Sequence, residues 1–350
     1  MSFLVITSAD VSRIVSSIHH SRLENLMAFV FHTLSSGSGF DAPLREAITM
    51  AQHKVLFMPA RVQGLGTSIK VVSIPRHPAN QGGLPASSLV LDENTGGIRA
   101  IVNARQLTAL RTAAGSLLAT CLLLSVQDPS TFLAFGAGKQ IEAHVDLHLR
   151  AYSTIETCTI VNKSNNQRLA DLIIRLKSAH PTVTFQSLIL KDDLDRLEQV
   201  TRAANIICTA TSSKEPLFEA KWVSPGTHLN LIGSYTPEMA EVSSELLHQA
   251  GKVVVDSREA CASEAGELIK ARFNEKDMVE IGTLVHFDNN SPDADYKKVH
   301  ALCDEVRQAG EITIFKSVGV GLQDVAITNM VVNLAGEIST RIDSYDDNQF

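Results

Sequence analysis

The segment TFLAFGAGKQIEA, residues 131–143, constrains this chain more than any other. An apolar run of strand length enters Gly136-Ala137-Gly138 and continues into a helical stretch opened by Lys139. Gly136 permits a tight turn, and Gly138 lets the backbone approach a pyrophosphate, which then lies at the positive end of the helix. These residues are candidate cofactor contacts. The third glycine of G-x-G-x-x-G is absent, with Ile141 in its place, and a plain strand-to-helix turn also uses glycines. The rhythm that follows narrows the reading: TCTIVNKS, NQRLADLIIRLKSA, TVTFQSL, DDLDRLEQVTRA, NIICTAT, HLNLIGSY and KVVVDS alternate strand and helix patterns. Such alternation argues a parallel sheet with helices on both faces.

When the dinucleotide is NAD, a carboxylate is expected about twenty residues after the glycines, at the end of the second strand, on the ribose 2′-hydroxyl. The chain offers Asn162, Lys163 and Ser164 there instead. A cation and two hydrogen-bonding side chains suit a 2′-phosphate, and the missing carboxylate removes the group that would repel it. NADPH is therefore the expected cofactor, with NADH an alternative, and a surface lysine without a role is the plain alternative for Lys163.

Before the glycines the pattern differs. Ser8 and Asp10 open an amphipathic segment through about Leu34, and SSGSGFDAP reads as a loop. Short β-rich pieces follow from Val55 to Asp92, with ENTGG as a hairpin turn. The stretch RQLTALRTAAGSLLATCLLL, rich in Ala and Leu, reads as a buried helix in which Arg111 is the one charge after Arg105. A buried arginine needs a partner: either an internal carboxylate or an anionic ligand held by its paired donors. In SIKVVSI the period of two sets Lys70 on the face of Val72 and Ile74. Two inward cations suggest a carboxylate site, although each alone is equally readable as structural. The stretch EITIFKSVGVGLQDVAITNMVVNLA reads as a strand and a helix returning to this first part.

Composition excludes several classes. With 350 residues, 44% hydrophobic and 20% charged, the chain suits about two globular domains, not disorder, and it has no apolar run of membrane-spanning length. A net charge of −7 without a Lys/Arg block gives no footprint for nucleic acid or an anionic membrane. Cys121, Cys158, Cys208, Cys261 and Cys303 are far apart and mostly inside apolar stretches, as reduced thiols are. No metal-ligand spacing occurs. The N-terminal stretch lacks a basic n-region and a long apolar run, so a cytoplasmic protein is expected.

Taken in order, GLPASSLVLDENTGGIRAIVNARQLTALRTAAGSLLAT, FGAGKQ, VNKS, IICTATSS, PGTHLNLIGSYTPEMAEV, VVVDSREACASEAGEL and IFKSVGVGLQD resemble the ornithine cyclodeaminase and mu-crystallin family over nearly the whole chain. The resemblance implies an α/β fold: a Rossmann-type doubly wound parallel sheet at 118–309, and a smaller α+β substrate and dimerisation domain made of 1–117 with 310–350. It implies a homodimer. It places the substrate carboxylate on Arg45, Lys70 and Arg111, sets Ser88, Thr209, Ala210, Thr211, Val318 and Gly319 near the nicotinamide end of the cofactor, and Gln140 at its phosphates.

One position departs from the family pattern. True cyclodeaminases carry an aspartate two residues after the first glycine of the segment written here GSYTPEM, and this chain has Tyr235. A phenol is no base at neutral pH. The expected function is therefore NAD(P)H-dependent reduction of cyclic or open α-imino carboxylates, of the piperideine-2-carboxylate or pyrroline-2-carboxylate type, with Lys70 and Arg111 catalytic and Tyr235 lining the substrate site. The alternatives are ornithine cyclodeamination, an amino-acid or opine dehydrogenase, and an NADPH-dependent binding protein without turnover.

Overall fold

The computed structural model describes residues 3–43, 45–76, 84–289, 291–343 and 345. One of its two eight-stranded sheets is wholly parallel. In spatial order it holds the strands Thr184–Ile189, Thr157–Asn162, Thr131–Phe135, Ile206–Thr209, His228–Leu231, Thr313–Lys316, Val253–Val255 and Met278–Glu280. Side chains alternate across it. Phe132 and Ala134 pack with Ile141, Val145, Leu169 and Leu172 of the helices Lys139–Ala151 and Gln167–Ala179. Leu133 and Phe135 join a second core with Leu197, Trp222 and Leu246 on the opposite face. Apolar residues at both parities are what a strand covered on both sides requires. The doubly wound α/β class is thus as expected.

The other eight-stranded sheet is mixed and lies in the order Thr340–Ile342, Phe3–Ile6, Ile98–Asn103, Ala86–Leu91, Gly66–Pro75, His53–Val62, Phe40–Asp41, with Glu46–Thr49 also paired to His53–Val62. Its inner face, carrying Ala60, Val62, Val90, Ala100 and Val102, is covered by the helices Ser8–Ser16, His20–Ser36, Leu107–Leu123 and Gly321–Leu334. The amphipathic segment expected to run to about Leu34 is two helices. Thr7 and Asp10 form a capping box on the first, and His19 in extended geometry caps the second. Val11, Ile14, Ile18 and Leu23 are all buried, so one continuous apolar face hides the break. The strand Phe3–Ile6, not foreseen, pairs with strands from residues 98–103 and 340–342.

The buried helix Leu107–Leu123 connects the two sheets. It packs on helices of the mixed-sheet unit and, through Ser116 and Thr120, on His144 and His148 of the helix Lys139–Ala151. The last parallel strand, Thr313–Lys316, lies beyond residue 310, whereas Ile281, Leu284, Cys303 and Val306, earlier in the chain, already share a core with Met27 and Phe31 of the N-terminal part. Among the described residues no helix is long and apolar enough to cross a membrane, and no cluster of ligands could hold a metal ion.

Candidate active site

Two sites meet along the carboxyl edge of the parallel sheet. The first lies where strand order reverses, between Thr131–Phe135 and Ile206–Thr209, which is where open α/β sheets bind ligands. Gly136 has φ +115°, and a Cβ on it would lie 2.9 Å from the Ala210 carbonyl oxygen, so the fold itself demands glycine. Gly138 is different. Its backbone is ordinary at φ −94°, and a side chain would meet only the movable end of Arg168, 2.9 Å from Nη2. Packing within the protein does not by itself require that glycine.

Other polar atoms converge on the same turn. Gln140 Oε1 is buried without a partner, and the helix Lys139–Ala151 begins without a side-chain cap. Lys139 itself turns aside to Glu142, 2.8 Å away. Ala137 is nearly buried, and Ile141 fills the third-glycine position with an apolar contact against Gly136. At the second strand end, Asn162 Nδ2 donates to the Ser164 carbonyl at 2.8 Å, and Ser164 Oγ accepts from Asn166 at 3.2 Å. Lys163 is exposed and forms no ion pair among the described residues. These features fit a dinucleotide phosphate group.

Two carboxylates missed in the sequence fix the loops beside this turn. Glu241, fully buried, accepts from Thr209 Oγ1 (2.7 Å), Thr211 N (2.6 Å), Thr211 Oγ1 (2.8 Å) and Gly233 N (2.6 Å). Burial pushes its carboxyl up, against the pull of Lys316 and these donors. Asp256 accepts from Ser317 Oγ (2.7 Å), Val318 N (3.0 Å) and Gly319 N (2.7 Å). The amides of Val318 and Gly319 and the hydroxyls of Thr209 and Thr211 are therefore committed to protein carboxylates. Lys316, fully buried, pairs with Glu267 at 3.0 Å. The available signal was a charge inside an apolar run, in KVVVDS and EITIFKS, the logic that singled out Arg111.

The second site is a cluster of buried charge. Lys70 and Arg111 are 3% and 6% exposed, and both face Asp324 of the helix Gly321–Leu334. Lys70 Nζ stands 2.5 Å from Asp324 Oδ2, and Arg111 Nε 3.5 Å from Oδ1. Arg111 Nη1 donates to Gln323 Oε1 at 2.8 Å. Burial lowers the Lys70 ammonium below the ordinary lysine range, and the cations of Arg111 and Arg45 add to this against the pull of Asp324. Gly319, at φ +85°, places its Cα against the Arg111 guanidinium, where a Cβ would collide. That contact joins the cation pair to the carboxyl edge of the parallel sheet. Ser88, directly across the ladder from Lys70, is fully buried with an unpartnered Oγ.

Arg45 is not inside this cluster. It is exposed and reaches Glu264, at the end of the helix Arg258–Glu264 on the parallel-sheet unit. Tyr235 is 51% exposed and makes no hydrogen bond among the described residues. So Lys70, Arg111 and Ser88 come together with Val318 and Gly319, while Arg45 and Tyr235 stand at the periphery.

The Ornithine cyclodeaminase/mu-crystallin family matches residues 7–337. The chain belongs to that family. A Delta(1)-pyrroline-2-carboxylate reductase of Colwellia psychrerythraea is 32% identical over 255 residues, 71% of this chain and 73% of that protein. The ketimine reductase mu-crystallin of Mus musculus is 26% identical over 307 residues, 84% of this chain and 85% of its own. Among solved structures, the Thermococcus litoralis Delta(1)-pyrroline-2-carboxylate reductase in complex with NADH and L-proline superposes with a TM-score of 0.78 at 23% identity, covering 97% of this chain and 100% of that one. That last likeness establishes the fold alone.

Proposed function

We propose that this family member is an NAD(P)H-dependent reductase of cyclic or open α-imino carboxylates, of the piperideine-2-carboxylate or pyrroline-2-carboxylate type. One observation carries the reading: two buried cations, Lys70 and Arg111, share a single carboxylate, Asp324, beside the carboxyl edge of a dinucleotide-type sheet. A buried excess of positive charge is costly unless an anion completes it, and a substrate carboxylate does so. The named relatives are a ketimine reductase and a Delta(1)-pyrroline-2-carboxylate reductase, which supports the same chemistry here.

A bound nicotinamide supplies hydride to the imine carbon. The chain's own residues position and protonate. Arg111 offers paired donors to the substrate carboxylate, and Arg45, exchanging Glu264 for that carboxylate, closes over it. Lys70, with its lowered proton affinity, supplies the proton that the reduced nitrogen keeps. Ser88 Oγ, unpartnered and opposite Lys70, is a ready hydrogen-bonding group toward the carboxamide end of the cofactor. Lys163 at the second strand end favours NADPH over NADH.

Following absorbance at 340 nm with NADPH and, separately, piperideine-2-carboxylate, pyrroline-2-carboxylate and ornithine tests this. Consumption with either imine supports the reading; consumption with neither, despite measurable NADPH binding, favours the binding-protein alternative. Ammonia from ornithine would favour cyclodeamination.

The same reading includes a homodimer through the outer face of the mixed sheet, where Ile48, Met50 and Ile101 are exposed, at 58%, 52% and 36%. Sedimentation at micromolar concentration tests it. The five free cysteines, four of them buried, suit a reducing compartment such as the cytoplasm.

A further inference from the structure

Resting on the reading that the chain binds a dinucleotide, we infer that Arg168 is a pyrophosphate-binding residue, separate in function from Lys163. Sequence patterning gave it no role, since it lies beyond the strand end where a 2′-phosphate is sought. The structure sets it elsewhere. Its guanidinium rests against Gly138, the one glycine of the turn that the free protein does not need, with Nη2 2.9 Å from where a Cβ would stand.

The guanidinium is also uncommitted. Arg168 forms no ion pair or hydrogen bond among the described residues. The carboxylates around it are occupied: Asp171 accepts from Gln167 at 2.7 Å, and Glu142 accepts from Arg175 at 2.7 Å and from Lys139 at 2.8 Å. An unpaired arginine against Gly138, the N-cap residue of the helix Lys139–Ala151, which has no side-chain cap, supplies planar paired donors for phosphate oxygens beside the helix amides. The two cations then divide the ligand. Arg168 holds what NADH and NADPH share, and Lys163 reads what distinguishes them.

Calorimetric titration of the purified full chain with ADP-ribose, NADH and NADPH tests this without any turnover. Arg168→Met weakens all three by about tenfold and leaves the NADPH-to-NADH ratio within twofold; Arg168→Lys recovers part of the loss. Lys163→Met changes the ratio and spares ADP-ribose. Arg168 is an exposed residue in the first turn of its helix, and an unchanged thermal midpoint for Arg168→Met shows that the fold is kept; if the midpoint falls, the Arg168→Lys titration decides. Affinities within twofold of wild type for all three ligands overturn the assignment, as does a loss confined to NADPH, which would give Arg168 to the 2′-phosphate. A wild-type chain that binds none of the three overturns the proposed function as well.

Discussion

Lys70 and Asp324, separated by 254 positions in the chain, meet at 2.5 Å between Nζ and Oδ2, with both side chains almost wholly buried. The pair sets the charge of the substrate site. Asp324 raises the proton affinity of Lys70 while burial, Arg111 and Arg45 lower it. Asp324→Asn removes the raising influence, so the basic limb of the reductase pH profile should move to lower pH by more than one unit. Uncompensated buried charge should also cost about 3 kcal/mol of stability. Initial rates across pH, with urea unfolding, check both; a limb that stays in place would show that Lys70 does not supply the proton.

Arg111→Ala should lower kcat/KM for the imine on the order of a hundredfold, about 3 kcal/mol, with NADPH affinity within threefold of wild type. Steady-state kinetics and cofactor titration make the comparison. Equal losses in both would mark Arg111 as structural.

Gly319→Ala should act on the same guanidinium without touching its charge. The substitution forces a side chain into φ +85° and against Arg111, so activity falls steeply while the strain costs about 1–2 kcal/mol. A loss of turnover much larger than the loss of NADPH affinity is the expected signature.

Lys163→Glu should reverse the preference from NADPH to NADH, because a carboxylate at that strand end repels a 2′-phosphate and accepts from a 2′-hydroxyl. Dissociation constants for the two cofactors decide it, and a wild type that binds NADH more tightly contradicts the premise.

A stability prediction comes from the seam between the helices Leu107–Leu123 and Lys139–Ala151. Burial holds His144 down at about 4, and His148 and His228 at about 3. The unfolded chain therefore binds more protons than the folded one from the ordinary histidine value of 6.5 downward. Their stabilisation is complete above that value and is lost as pH falls toward 4 and 3, by about 2 kcal/mol per histidine between pH 7 and pH 5. Glu24 and Glu241, raised by burial, oppose the trend. Urea midpoints at pH 7, 6 and 5 should fall, and His148→Gln should flatten the slope.

The glycine turn and the strand-helix alternation were legible because local pattern determines both. Arg111 and Lys70 were legible because a charge inside an apolar period must be satisfied. Asp324 was not: it sits in GVGLQDVAITNM as one more polar residue near a helix start, and only the fold brings it to Lys70. Glu241 and Asp256 answered to the same rule as Arg111, yet their partners are mostly backbone amides, which carry no mark in a sequence. The pairing of Arg45 with Glu264 joins two exposed residues of opposite charge, and many such pairs were equally plausible.

The return of the chain through Gly321–Leu334 has a consequence during synthesis. That helix covers the inner face of the sheet whose strands begin at residue 3, and it brings the carboxylate for Lys70. A ribosome adding roughly 5–20 residues per second leaves the part of the early sheet under that helix, on the strands His53–Val62 and Gly66–Pro75, open for tens of seconds after Lys70 emerges. The parallel strands from Thr131 to Glu280 are by then already made, and only Thr313–Lys316 is lacking. The nascent chain thus carries an uncovered strip beside an unpaired Lys70 until the helix Gly321–Leu334 leaves the tunnel, which makes this the period of greatest exposure to chaperones and proteases.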